Sequence, residues 1–166
     1  MEDFKIITDT TADLPESYIR ENELGIMVVP YIMDGIPQGE ERKMEVKEFY
    51  DRMRGGMMPT TSQINPETAK EYLNGFLEES RQLLVLSFSS GLSGTCGNVS
   101  LAAREIMEER PDCRIVVADT LCASLGEGLL VHKAVQMKKA GKSLDETAQW
   151  VEAHKENLVH VFTVDD

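Results

Sequence analysis

Between an apolar run, QLLVL (82–86), and a helix-like segment, NVSLAAREIMEE (98–109), lies the stretch SFSSGLSGT (87–95), made almost wholly of serine, glycine and threonine. Hydroxyl donors beside a backbone that a ligand can approach closely could hold an anion or carry a nucleophile. A phosphate-binding P-loop needs a lysine after its glycines to reach the outer phosphates, and GLSGTCGN has none. The nucleophile elbow G-x-S-x-G needs glycine two residues after Ser93, where Thr95 stands. A serine nucleophile also needs a base. His132 falls mid-helix, His154 in the last turn of a polar helix and His160 in an alternating run, so nothing local links any of them to Ser93. The dinucleotide fingerprint lacks its third glycine in GEGLLV (126–131) and lies inside a helix, where Gly126 and Gly128 read as points of close approach. Without His-Glu-x-x-His or clustered Cys/His spacing, no metal is expected, and no other cofactor.

What remains is a site of hydroxyls and backbone amides. TTSQ (60–63) and SSGLSGT (89–95) share that character, and both are expected near helix starts. There unpaired N–H groups and a partial positive charge stabilise a carboxylate or phosphate without any lysine. Taken singly, each of these residues reads as a cap or turn residue; two such loops together point to an anion site. The acidic turn ITDTTADLP (7–15) adds Asp9, at the carboxyl end of the first strand, where it can orient a ligand or a partner loop. Asp13 reads as the cap of a helix beginning at Pro15.

The elements that must position these loops alternate along the chain. Strands are expected at 4–8, 26–33, 83–87, 113–119 and 158–164, with Pro30 marking an edge or a bend in the second and Asp34-Gly35 a tight turn after it. Helices are expected after Pro15, over 46–54 up to Gly55-Gly56, from Pro66 through 67–80, over 98–110, over 125–141 and after the capping Ser143. This order predicts an α/β fold of three layers, α/β/α, with a mainly parallel sheet of about five strands and one domain over 1–166. Such sheets bind ligands in the loops beyond their carboxyl ends. The sequence stops at Val164-Asp165-Asp166, directly after an expected strand, which reads as a truncation.

Composition narrows the partners. The formal charge of −12, from 29 acidic against 17 basic residues in 166, opposes binding to nucleic acid or anionic membrane surfaces. Cys96, Cys113 and Cys122 are odd in number and lack Cys-x-x-Cys spacing, as expected for free thiols in a reducing cytoplasm. The start MEDFKIITD resembles no signal peptide, and no apolar run approaches the ~20 residues of a membrane span.

ITDTTADLP (7–15), PTTSQINPE (59–67), SFSSGLSGT (87–95) and VVADTLCASLGEGLLV (116–131), in this order, resemble the DegV family of bacterial proteins from residue 4 onward. The resemblance implies the family's first domain and a non-enzymatic carrier. Such a carrier binds a long-chain fatty acid and presents its carboxylate to a separate fatty acid kinase catalytic subunit, which forms the acyl phosphate. It implies carboxylate contacts from Thr61, with Ser62 beside it, and from Ser93, with the amides of Gly94 and Thr95 close by. Ile64 and Cys96 depart from the proline and the aromatic residue common in the family, which bears on pocket shape. Thr10 and Thr120 replace common serines and keep the hydroxyl. Family members continue into a second domain with a Gly-Gly-Arg motif that covers the acyl tunnel.

A lipid suits the energetics. A dozen buried methylenes supply roughly 10 kcal/mol, against about 1 kcal/mol for each hydroxyl bond, so the tunnel sets affinity and the loops set orientation. Met27, Met33, Met57 and Met58, among nine methionines, are candidates for adaptable walls or for core filling. Two other readings stay open: an esterase or phosphotransferase using Ser93, and a regulatory module for another small acid.

Overall fold

The computed structural model describes residues 3–39, 42 and 44–163. Its strands are β1 (Lys5–Asp9), β2 (Gly25–Met27), β3 (Tyr31–Met33), β4 (Ile36–Gln38), β5 (Thr60–Thr61), β6 (Gln82–Ser87) and β7 (Arg114–Asp119). Its helices are α1 (Glu16–Glu21), α2 (Val46–Arg54), α3 (Pro66–Leu77), α4 (Thr95–Glu109), α5 (Leu125–Lys139) and α6 (Leu144–His154). Four strands form a parallel sheet in the order β2-β1-β6-β7, and three short ones an antiparallel sheet in the order β4-β3-β5.

The mainly parallel α/β fold is as expected, with four parallel strands rather than five. The run over 158–164 alternates like a strand, but residues 158–163 form none, and Val164 lies outside the described residues. Among the described residues no strand pairs with this segment, and Val159 and Val161 are left 90% and 88% exposed. The expected strand over 26–33 is two strands in different sheets, because Pro30 cannot donate to a ladder and the chain turns there. Asp34 and Gly35 take positive φ (56° and 71°) and close the β3–β4 hairpin, as their types require.

Strand β6 is apolar from Leu83 to Leu86 because both its faces are covered. Leu83 and Val85 join Ile7, Met27 and Ile115 under α3 and α4, contributed as Ala69, Leu73, Leu77, Val99 and Ile106. Leu84 and Leu86 join Ile6 and Ala118 on the other face, under Leu130, Val131, Ala134 and Val151 of α5 and α6. Met27 and Met33 fill the interior, whereas Met58 is 78% exposed.

The caps follow the local sequence. Asn65 accepts from the Thr68 amide at 2.9 Å ahead of Pro66, and Ser143 forms a capping box with Glu146. Asp13 does not cap α1: the residue before that helix is Pro15, which has no side-chain cap bond, and Asp13 accepts from Ser124 Oγ at 2.7 Å instead.

Gly128, in the first turns of α5, lets that helix press on the turn after β1. A Cβ there would lie 2.7 Å from the Ala12 carbonyl oxygen. In α3 a Cβ on Gly75 would meet nothing within 4 Å. The same substitution should therefore have opposite signs in the two helices. Gly75→Ala should stabilise by roughly 0.5–1 kcal/mol. Gly128→Ala should destabilise by about 2 kcal/mol through overpacking against backbone that cannot yield, lowering Tm by roughly 4–8 °C. Thermal denaturation of both variants checks this, and a stabilised Gly128→Ala would show that the turn is free to move.

Candidate functional site

Strand β1 has β2 on one side and β6 on the other, so the strand order reverses between β1 and β6. At such a switch point the loops leave in opposite directions and open a crevice at the carboxyl edge. Three loops meet there, from Asp9, Ser87 and Asp119, at the ends of β1, β6 and β7.

Asp9 ties the first two together. Its Oδ1 accepts from the Thr11 amide at 2.9 Å and from the Thr11 hydroxyl, and its Oδ2 accepts from the Phe88 amide at 3.3 Å. Asp9 therefore orients a partner loop, one of the two roles its position implies. Burial pushes its carboxyl above the usual aspartate value, while these donors pull the other way. Asp119 does the equivalent on the third loop, accepting from the amides of Ser90 and Leu121, each at 3.1 Å. Thr120 closes the set: its amide and hydroxyl both donate to the Ser87 carbonyl oxygen, at 3.1 and 2.8 Å.

Helix α4 begins at Thr95, three residues earlier than its apolar pattern implies, so Ser93-Gly94-Thr95 is the helix start itself. Its first intrahelical bond is from the Asn98 amide to the Gly94 carbonyl oxygen, which leaves the preceding amides free of intrahelical partners. Ser93 Oγ accepts from the Thr95 amide at 3.2 Å and donates to Thr95 Oγ1 at 3.0 Å. Thr95 is buried, Ser93 half-buried and Gly94 exposed.

The TTSQ loop arrives from the small sheet. Thr61 pairs with Tyr31 across β5 and β3, and the Ser62 amide donates to the Pro30 carbonyl oxygen at 3.1 Å. Both residues are exposed. Ile64 joins this loop to α4: its amide donates to Thr95 Oγ1 at 3.3 Å, and its carbonyl oxygen accepts from Asn98 Nδ2 at 2.8 Å. The Gln63 side chain lies over Gly94, where a Cβ would strike it. The structure thus joins the two hydroxyl-rich loops, separated by some thirty residues in sequence, through Ile64 and Gln63. Gly94→Ala should leave the fold intact, since Gly94 has a φ of −74° open to any residue, while displacing Gln63. A loss of ligand retention in this variant at unchanged Tm is the expected result, and unaltered retention would show that Gln63 has no part in the site.

The histidines are engaged elsewhere. His132 Nδ1 is 2.9 Å from the Tyr18 hydroxyl, His154 stacks on Trp150, and the His160 ring packs where Gly126 lacks a side chain. Among the described residues no group of three or more His, Cys, Asp or Glu is arranged to hold a metal ion, and no helix is long and apolar enough to cross a membrane. All three cysteines are free and buried. Apolar side chains stand exposed in the same edge loops: Leu92, Leu121, Leu125 at the start of α5, and Met58 before Thr60.

One residue of this edge is not legible as a site residue from motif patterns. Glu127 is fully buried, its Oε1 accepts from Thr8 Oγ1 at 2.8 Å, and its Oε2 lies 3.0 Å from Thr11 Oγ1. Burial first, and the neighbouring Asp9 second, push its carboxyl up to about 8. The available signal is compositional: Glu127 is the one charged residue of TLCASLGEGLLV (120–131), flanked by two glycines.

The DegV family model, described as that of an uncharacterised protein family, matches residues 3–166. A DegV domain-containing protein of Clostridium perfringens is 41% identical over 167 residues, covering 99% of this chain and 57% of that protein. Among solved structures, a DegV family protein of Thermus thermophilus described for fatty acid binding superposes with a TM-score of 0.77 at 32% identity, over 94% of this chain and 54% of that one. A DegV lipid binding protein of Thermotoga maritima gives 0.78 at 34%, over 95% and 55%. The chain spans little more than half the length of each of these relatives. With its family motifs gathered at one sheet edge and a match along nearly its whole length, the chain belongs to the DegV family.

Proposed function

We propose that this protein binds a long-chain fatty acid, holding its carboxylate with the hydroxyls of Thr61, Ser62 and Ser93 and the amides of Gly94 and Thr95. In the cytoplasm it would present that carboxylate to a separate kinase subunit for acyl phosphate formation. The observation that carries the reading is the joining of the two hydroxyl-rich loops at the start of α4 through Ile64. A carboxylate there meets the positive end of a fifteen-residue helix. Ser93 exchanges its neutral bond to Thr95 Oγ1 for a charge-assisted one, which is roughly twice as strong. The exposed Leu92, Leu121, Leu125 and Met58 supply apolar surface at the same edge, and relatives above 30% identity are described as fatty-acid-binding or lipid-binding.

An esterase reading of Ser93 would require a base on its hydroxyl. The contacts of that hydroxyl are instead the Thr95 amide and hydroxyl.

Mass spectrometry of organic extracts of the purified protein is expected to show one fatty acid per chain, or uptake of one on incubation. Absence of both would refute the reading. Covalent labelling of Ser93 by a fluorophosphonate, or acyl phosphate turnover by this protein alone, would replace the carrier with an enzyme.

A further inference from the structure

The hydrogen-bond inventory around Glu127 does not close with both carboxyls ionised. Thr11 Oγ1 lies within bonding distance of two buried carboxylates, Asp9 Oδ1 and Glu127 Oε2, yet its hydroxyl carries one proton. Thr8 spends its own proton on Glu127 Oε1. One further proton is needed, and it has to sit on one of the two acids, because neighbouring buried carboxylates cannot both ionise cheaply. Asp9 already receives two backbone amides, from Thr11 and Phe88, which favour its charged form. Among the described residues Glu127 receives only the hydroxyls of Thr8 and Thr11, no amide and no cation, and it is fully buried.

We infer that Glu127 is kept as the neutral acid and donates its carboxyl proton to Thr11 Oγ1, so that Glu127, Thr11 and Asp9 form one directed chain of hydrogen bonds. The chain locks the start of α5 to the turn after β1 and, through the Phe88 amide on Asp9, to the first residue of the serine-rich loop. Glu127 is thus a positioning residue for the cradle: it touches no ligand and acts through Thr11 and Asp9.

Among the described residues, the ionisable groups that interact electrostatically with Glu127 are all acidic. Asp9 stands at the end of β1, Asp13 in the turn after it and Cys122 in the loop after β7. The carboxyl of Glu127, held near 8 in the folded protein, stands above its value of 4.5 in an unfolded chain. The folded state therefore binds more protons between those values, and stability falls as pH rises through that window, levelling off above it. Ionisation of Glu127 leaves one Thr11 proton between two charges, which loosens the anchor of the serine-rich loop.

Glu127→Gln provides the test, since a glutamine amide donates where the acid donated and accepts from Thr8 where the acid accepted. The Tm of wild type relative to Glu127→Gln should fall progressively from about pH 5 to about pH 8 and then hold constant. A gap independent of pH, with the glutamine variant the less stable, would mean that Glu127 is ionised throughout and would overturn the inference. Titration of the wild-type protein carrying 13C-labelled glutamate gives the same answer without any variant: one side-chain carboxyl should titrate near 8, and titration of every glutamate below about 5.5 would overturn it.

The link to the cradle rests on the proposed function and has its own readout. Between pH 7 and pH 9, fatty acid retention by wild type divided by that of Glu127→Gln should fall by up to about tenfold, the drop in the neutral fraction one unit above the midpoint. An unchanged ratio, with the stability result intact, would overturn the coupling to the cradle. Failure of both proteins to bind fatty acid at any pH would refute the proposed function and leave the proton chain standing.

Discussion

Thr61→Ala combined with Ser93→Ala is expected to lower fatty acid retention at least a hundredfold while leaving Tm within a few degrees of wild type. A hydrogen bond to a charged group contributes about 1.5–3 kcal/mol, because the partner carboxylate must otherwise be left poorly solvated in the crevice. Two such bonds amount to roughly 3–6 kcal/mol, and each 1.4 kcal/mol is tenfold in affinity. The folded state loses little: Thr61 is exposed, and Ser93 is half-buried at a helix start. Ser93→Ala does remove the acceptor of the Thr95 amide in a buried residue, a loss of about 1 kcal/mol that lowers Tm by only a few degrees. Each single variant should weaken retention by about tenfold or more. Isothermal titration with a fatty acid solubilised below its micellar concentration measures all three. Affinity that survives in the double variant would move the head group elsewhere and would leave Thr61 and Ser93 as turn and cap residues.

This expectation separates two contributions that a lipid site combines. The hydrocarbon chain supplies most of the driving force, about 0.8 kcal/mol for every methylene buried. Its contacts are non-directional, so they do not fix which end of the ligand is presented. On the proposed reading, orientation comes from the donors at the α4 start. The double variant should therefore lose selectivity for the acid over the corresponding alcohol as well as affinity, since the alcohol never had the charge-assisted bonds to lose.

How much of this was legible in the sequence follows from the range of each interaction. The strands β1, β6 and β7 lie within a residue or two of their apolar runs, because an uninterrupted apolar segment between turn signals has few other ways to be buried on two faces. The cap at Ser143 is a local hydrogen-bond pattern written in four consecutive residues, and Pro66 marks the start of α3 by its own type. Gly126 and Gly128 were readable as close-approach points, and their neighbours in space prove to be His160 and Ala12.

What misled is equally specific. The run over 158–164 has the right alternation, but a strand needs a neighbour, and alternation does not supply one. Asp13 has the right type and position for a cap, yet its carboxylate is taken by Ser124, more than a hundred residues away. Glu127 was missed for the converse reason. A single glutamate in a helix reads as a solvated residue, and only the packing of α5 onto the turn after β1, which Gly128 permits, removes it from water. The joining of TTSQ to SSGLSGT depends on Ile64 backbone groups, which carry no side-chain signature at all.

Asp9→Ala is expected to destabilise the protein by about 3 kcal/mol, lowering Tm by roughly 6–12 °C, and to lower fatty acid retention with it. Asp9 bonds both sides of the switch point, taking the Thr11 amide and hydroxyl on its own loop and the Phe88 amide on the next. Removing it leaves two part-buried amides without their acceptor, at about 1–3 kcal/mol each, partly offset because a buried charge is no longer desolvated. Asp9→Asn tells these contributions apart. Asparagine keeps the shape and one acceptor oxygen, but its amide nitrogen must face either the Thr11 donors or the Phe88 amide, so one side of the switch point is left with donor against donor. If geometry alone held the loops, the asparagine variant would behave as wild type. If the acceptor charge holds them, asparagine should recover less than half of the stability lost in alanine, and hydrogen exchange at the Phe88 amide should quicken in both variants while amides within β6 stay protected. Fast exchange confined to the alanine variant would assign the role to packing and detach Asp9 from the serine-rich loop.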